Sequence, residues 1–348
     1  HFATTADRLW PELASTYALA NLLLLMECAK PEEANVGSLA RMCAGDNEKY
    51  LMRINEKIPQ NTLAGINFSG VLTGAERTRQ SVYVTLYGMI RIFNTQKNLT
   101  RMLSGNSINI RDIKKKKSAV YIIVPDEKTT YHFLVTTFIK QVYELLIAEA
   151  QDHDSKTLPV RVNFVLDEFC NIPKIPDMPS MISAARSRNM RFFLVAQSLH
   201  QLTARYGNDA ATIKGNCDNW VFLTSKELEL LREISDLCGS VSEAGEVVQR
   251  PLISVSELQR LDKANGEALI MHARQYPIIT EIADIDSYEA FKGFPEVPLR
   301  DFELPKDTVF SVKRLYRDIK AGKVPTPFAS GADESDPDKD DDFDDWPY

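Results

Sequence analysis

The sequence contains no GxxxxGK[ST] phosphate loop, no CxxC pair and no apolar run near the roughly 18 to 20 residues a membrane helix needs. The longest apolar candidate is Tyr17 to Met26, so neither a bilayer span nor a signal peptide is expected within these residues. A membrane segment outside them is left open. Five widely spaced cysteines, Cys28, Cys43, Cys170, Cys217 and Cys238, fit reduced thiols better than a disulfide framework or a zinc site. A strong basic balance is also missing: 41 Lys and Arg stand against 48 Asp and Glu. Nine of those acidic residues, with a single Lys, lie in Asp333 to Tyr348, which leaves 40 basic against 39 acidic on the rest. A body so close to neutral gives no global argument for nucleic-acid binding, which must come from local patches or motifs.

What is present falls into three compositional regions. From Arg8 to Phe93 apolar residues recur at helical spacing, as in Trp10, Leu13, Tyr17, and later Val82, Leu86, Met89 and Phe93. This predicts an all-α domain of several short helices over residues 1–110, with a breaker-rich loop from Gln60 to Gly74. After Lys117, short β-branched and aromatic runs alternate with helical segments. The predicted strands are Ser118 to Val124, Val162 to Leu166, Arg191 to Ala196, Trp220 to Leu223 and Ala268 to Met271. The predicted helices are Tyr131 to Ala150, Pro179 to Asn189, Leu199 to Tyr206 and Glu227 to Leu237, the last opened by a Thr224 to Glu227 capping box and closed near Gly239. Such alternation reads as an α/β domain, residues 111–294, with a parallel sheet covered by helices. Seven of the 17 prolines fall in residues 295–348, which argues for an extended arm and an acidic flexible tail, with a short helix at Val309 to Ile319.

The stretch that carries most chemistry is Arg161 to Phe169, a buried strand ending in Asp167 and Glu168. It has the form of a Walker B element. A carboxylate at the carboxyl end of a parallel strand sits where open α/β sheets bind ligands, and there Asp167 could hold the Mg²⁺ of a nucleotide while Glu168 orients or polarises the attacking water. Acidic residues also follow strands simply because the chain is leaving the core. The next strand ends in Gln197, whose amide can accept from a water and donate to a γ-phosphate, or can merely cap the helix at Leu199. Arg186 and Arg188 close the helix between the two strands. Arginine there is favoured by the helix dipole, and in a ring of subunits it can reach a neighbour's phosphates.

Together these segments resemble the ATPase part of the type IV coupling proteins of the TraG/TraD type, RecA-like ring motors of bacterial conjugation and type IV secretion. The likeness rests on NFVLDEFCNIPKIP from Asn163, AARSRNMRFFLVAQSLHQLTARYG from Ala184, IKGNCDNWVFL from Ile213 and RPLISVSELQRL from Arg250, followed by YPIIT at Tyr276. Weaker likeness reaches back through GAERTRQSVYVTLYGMI at Gly74, so roughly residues 1 to 290 are covered. The resemblance implies a RecA-like P-loop NTPase core with an inserted all-α domain. It implies ATP and Mg²⁺ as cofactors, Asp167 and Glu168 as the Walker B pair, Gln197 as the polar sensor, and Arg186 as an intersubunit finger with Arg188 as the alternative. It further implies a hexamer on the cytoplasmic face of the plasma membrane, with single-stranded DNA, relaxase and relaxosome proteins, and the secretion channel as partners.

The phosphate loop is the serious departure. Gly70 to Gly74 has two glycines but no Lys and lies in the helical region, so it is no substitute. In the family that loop and the membrane anchor precede the all-α domain, and with His1 in place of Met the expectation is that both lie upstream. Cys170 stands where a small residue such as Gly is common. The tetralysine Lys114, Lys115, Lys116 and Lys117 is either a solvated turn or a backbone-contacting patch for single-stranded DNA. The histidines show no ligand spacing. Phe343, Trp346 and Tyr348 make the tail a candidate docking segment for a basic relaxosome surface, against a purely solubilising role. Two other readings stand beside the coupling protein: a DNA translocase of the FtsK/HerA kind, and a cargo-recruiting module without chemistry.

Overall fold

The computed structural model describes residues 5–59, 61–105, 109–110, 117–124, 129–242, 250–293 and 308–323. The chain divides into two compact units, residues 1–108 with 298–348, and residues 109–297. The first unit is helical: α1 Thr5–Cys28, α2 Val36–Met42, α3 Glu48–Asn55, α4 Leu63–Leu72, α5 Glu76–Thr95 and α6 Lys97–Met102. Tyr17 is its centre, fully buried, with Phe68 edge-on at 6.2 Å and Tyr83 at 5.1 Å between ring centroids. Ala14, Ala20, Leu24 and Leu25 share its face at helical spacing and are buried beside it. By length and composition Leu9–Cys28 could cross a membrane, contrary to the expectation that no stretch qualifies. Its apolar stripe is instead the seam of this core.

Most of the segment Gln60 to Gly74, expected to be a breaker-rich loop, forms α4 over Leu63–Leu72, while Gln60 lies outside the described residues. Thr62 caps it, its Oγ1 accepting the Gly65 N–H at 3.1 Å, and Ala64, Phe68, Val71 and Leu72 are buried. Apolar periodicity outweighs the cost of glycine here, about 1 kcal/mol for each relative to alanine. Gly74 follows the helix end, where a Cβ would stand 3.2 Å from the Val71 carbonyl.

The second unit holds α7 His132–Asp152, β1 Val162–Leu166, α8 Met178–Ala185, β2 Met190–Leu194, α9 Leu199–Tyr206, α10 Asp209–Gly215, β3 Asn219–Phe222 and α11 Leu228–Cys238. They are followed by β4 Ser240–Val241, β5 Arg250–Pro251, α12 Val255–Leu258, β6 Glu267–His272 and β7 Ile278–Glu281. β1 and β2 pair in parallel, Val162 opposite Met190 and Leu166 opposite Leu194. One face of this pair is buried in a core containing Phe164, Leu146, Met181 and Ile182, with Phe164 stacked on Phe192 at 4.8 Å. The other face exposes Val165, Phe193 and Val195. The later strands pair differently from the expected parallel run: β3, β6 and β7 form an antiparallel sheet in the order β3-β6-β7. The five residues between β6 and β7 are too few for a parallel crossover, so the two must form a hairpin.

Two further expectations fail. Ser118 to Val124 is in no strand, and Tyr121 and Ile123 are 86% and 93% exposed. A β-rich run becomes a strand only in a ladder, and it joins none of the sheets among the described residues. The Thr224 to Glu227 capping box is absent, because α11 starts at Leu228 with no side-chain cap. The Glu227 carboxylate is engaged elsewhere, accepting from Ser198 Oγ at 2.9 Å. A capping box does form at Ser254 and Glu257 on α12.

The short helix expected at Val309 to Ile319 of the arm forms, and it packs where an unpacked arm was expected. α13 Val312–Lys320 belongs to the helical unit's core, where Phe310, Val312 and Leu315 are buried. Its apolar positions 312, 315, 316 and 319 follow one helical stripe, which local proline content does not erase. Residues 333–348 and Lys114, Lys115 and Lys116 lie outside the described residues, and Lys117 is exposed.

Candidate functional site

Because β1 and β2 are parallel and in register, whatever follows each strand gathers at one edge. Asp167 and Glu168 follow β1, and Gln197 follows β2 three residues beyond Leu194. The ladder continues past both strand ends: the Val195 N–H donates to the Leu166 carbonyl at 3.0 Å, and the Phe169 N–H to the Val195 carbonyl at 2.9 Å. This fixes the turn that carries the carboxylates. Phe169 anchors it further, fully buried and stacked on Tyr206 at 5.2 Å. From the same helix Arg205 Nε donates to the Cys170 carbonyl at 3.2 Å, and the Tyr206 hydroxyl accepts the Ile175 N–H at 3.2 Å. Burial pushes the Tyr206 phenol up to about 12, so it stays protonated. Cys170 is buried, and desolvation raises its thiol pKa, which makes it a packing residue.

Glu168 takes a positive φ of 48°, in the left-handed region uncommon for residues with a side chain. That conformation turns its backbone out of the strand direction, and its N–H is received by Asp167 Oδ1 at 3.0 Å. The Glu168 carboxylate is held at both oxygens. Gln197 Nε2 donates to Oε1 at 3.2 Å, and Asn171 Nδ2 donates to Oε2 at 2.6 Å. Asp167, Glu168 and Gln197, placed at one edge by sequence, are therefore neighbours. Asn171 was missed. The signal available was its position three residues after Glu168, within reach across a turn that the Asn171 N–H closes onto the Glu168 carbonyl at 2.7 Å.

Arg186 and Arg188 stand elsewhere. They occupy a single 3₁₀ turn just before β2, at the strands' amino ends, roughly 16 Å from the carboxylate edge for five residues of β rise. Arg188 is spoken for structurally, since its Nη1 donates to the Lys156 carbonyl at 2.9 Å. Arg186 is 90% exposed, and among the described residues its guanidinium is paired with Asp218, at 3.6 Å. An exposed pair of that length contributes little. Asp167 is an exposed carboxylate, and a single carboxylate together with water and phosphate oxygens is a coordination set Mg²⁺ accepts. The residues present fit that ion.

A two-stranded parallel edge with paired carboxylates and an amide beside them, backed by α7, α8 and α9, and carried with a separate helical unit, defines a RecA-like α/β core with an all-α domain. The structural comparison gives the same fold. The bacterial conjugative coupling protein TrwBdeltaN70, in its trigonal form with sulphate, superposes with a TM-score of 0.61 at 14% identity, covering 81% of this chain and 65% of that one. The plasmid coupling protein TrwB in complex with ADP and Mg²⁺ gives 0.59 at 12% identity over the same shares. The family model TraG-D_C, described as the TraM recognition site of TraD and TraG, matches residues 161–263. Protein VirD4 of Rhizobium radiobacter is 23% identical over 227 residues, 64% of this chain and 31% of that protein. Conjugal transfer protein TraG of Escherichia coli is 25% identical over 262 residues, 65% and 38% respectively. The chain is similar to these conjugative coupling and transfer proteins, and it spans about a third of the length of the curated relatives it matches.

Proposed function

We propose that the chain is the sensor and water-activating half of a nucleotide-driven motor, which couples ATP hydrolysis to moving relaxase-bound single-stranded DNA into a type IV secretion channel. The observation that carries this reading is the convergence of Asp167, Glu168 and Gln197 at the carboxyl edge of β1 and β2. Asp167 would hold Mg²⁺, which when bound neutralises charge on the phosphates. Glu168 orients the attacking water and receives its proton. The Gln197 amide contacts the γ-phosphate and reports its presence.

Arg186, exposed at the opposite edge, serves the site of a neighbouring subunit in a ring, which a hexamer supplies. The ring sits on the cytoplasmic face of the plasma membrane, held by an anchor outside these residues. Relaxosome recruitment is supported by the family match over residues 161–263, and by the acidic tail as a docking segment.

These 348 residues carry no phosphate loop, so the β- and γ-phosphates lack the backbone cradle and Lys that bind them. The purified chain is therefore expected to bind ATP weakly and to turn over none. Sustained hydrolysis by the chain, abolished by Glu168→Gln, would overturn this division of the site. A second reading has one observation of its own: the matched family model is named for partner recognition, so in isolation the chain acts as a cargo-recruiting module. Saturable binding of a relaxosome protein by a chain carrying Glu168→Gln supports that role independently of chemistry.

A further inference from the structure

Resting on the reading of Glu168 as the residue that activates water, the two amides around its carboxylate divide that task unequally. Asn171 is bound to the same turn as Glu168, by the backbone hydrogen bond of 2.7 Å and the side-chain bond of 2.6 Å to Oε2. Gln197 comes from the next strand, and its bond to Oε1 is longer at 3.2 Å. On that reading Gln197 is also the amide that would meet a γ-phosphate, so a bound nucleotide would compete for it. Asn171 Nδ2 has no competing partner among the described residues.

A carboxylate with φ of +48° and a flexible side chain needs something to fix its direction. An amide N–H to one oxygen does that without neutralising the other.

We propose that Asn171 is a positioning residue for Glu168: it holds Oε2, so that Oε1 is the oxygen presented to water once the Gln197 amide leaves it for the γ-phosphate. In the step, the water oxygen bonds to the γ-phosphorus and the bond from that phosphorus to the bridging oxygen breaks. Its electron pair leaves with ADP, and Oε1 takes the water proton. Exchange of the Gln197 hydrogen bond makes the basic oxygen available only when the phosphate is present, so sensing and activation share one atom.

The test uses Asn171→Ala and the isosteric Asn171→Asp in the full-length protein, with Glu168→Gln in parallel. Both Asn171 variants should lower kcat roughly tenfold or more, with KM for ATP and the melting temperature unchanged. Asn171→Asp keeps the shape but replaces the donor with a second carboxylate facing Glu168, and Asn171→Ala removes the donor without adding charge, so the two are read together. Wild-type turnover by Asn171→Asp, with Glu168→Gln inactive, overturns the role of Asn171 and leaves the water-activating reading standing. Wild-type turnover by Glu168→Gln overturns both. A readout free of turnover accompanies these: in the 348-residue chain, NMR exchange of the Asn171 side-chain amide protons should be slowed, and Glu168→Ala should restore fast exchange. Equal exchange in the two chains contradicts the pairing.

Discussion

Phe169 shows how much of the site is decided by a residue that takes no part in chemistry. It is fully buried against Tyr206, one position after the left-handed Glu168, and its N–H extends the β1–β2 ladder. Phe169→Ala should destabilise the second unit by about 3 to 5 kcal/mol, read by denaturant unfolding, and should loosen the turn that aims Glu168. Phe169→Leu, which keeps the apolar volume, should recover most of that stability. A different residue-scale outcome is expected at Arg186, 90% exposed and distant from its own carboxylate edge. If it serves a neighbour, rings mixed from wild-type and Arg186→Ala subunits lose hydrolysis more steeply than the mutant fraction. Linear loss would place its action within its own subunit. Asp167, Glu168 and Gln197 were legible because strand ends are legible and a parallel pair brings them to one edge. Asn171 was not, since its meaning depends on where the Glu168 side chain turns, a matter of φ and rotamer that no spacing states.

At the scale of elements, the clearest case is α13. Its docking onto the helical unit combines the buried Phe310, Val312 and Leu315 with Arg314, whose Nη2 donates to both Glu33 oxygens at 2.9 and 2.7 Å. Further ties come from Asn35 Nδ2 to the Thr308 carbonyl at 2.8 Å and from the Phe310 N–H to Ser38 Oγ at 2.9 Å. The Arg314 hydrogen bond, set against desolvation, holds the Glu33 carboxyl below its usual range. A folded pKa that is depressed contributes stability above the unfolded value, about 4.3, and that stability is lost as pH falls through the folded value. Hydrogen-exchange protection of α13 should therefore drop on acidification below about pH 4, and Arg314→Ala should flatten that dependence. Protection independent of pH in the wild type contradicts the pairing as the docking latch. Leu315→Ala should release the helix at any pH, at a cost of about 2 to 5 kcal/mol. The sequence marked this helix through its stripe. Proline density concealed that the helix had a partner, since composition is local and Glu33, which pairs with Arg314, lies 281 residues earlier in the chain.

The whole molecule was legible in class and less so in pairing. Alternating β and α segments identified the second unit, and helical periodicity the first. The antiparallel β3-β6-β7 sheet escaped because apolar runs read alike in either direction, and only the five-residue connection between β6 and β7 distinguishes them. Ser118 to Val124 reads as a strand yet is assigned to none, and among the described residues Val165, Phe193 and Val195 leave one face of the parallel pair exposed, where such pairs are ordinarily covered on both. The measurement that tests the central claim most directly is ATP binding and turnover by the full-length protein carrying Glu168→Gln. The account predicts that nucleotide still binds, since Asp167 is intact, while turnover falls by roughly 100-fold or more. Turnover at the wild-type rate, with binding unchanged, would contradict it.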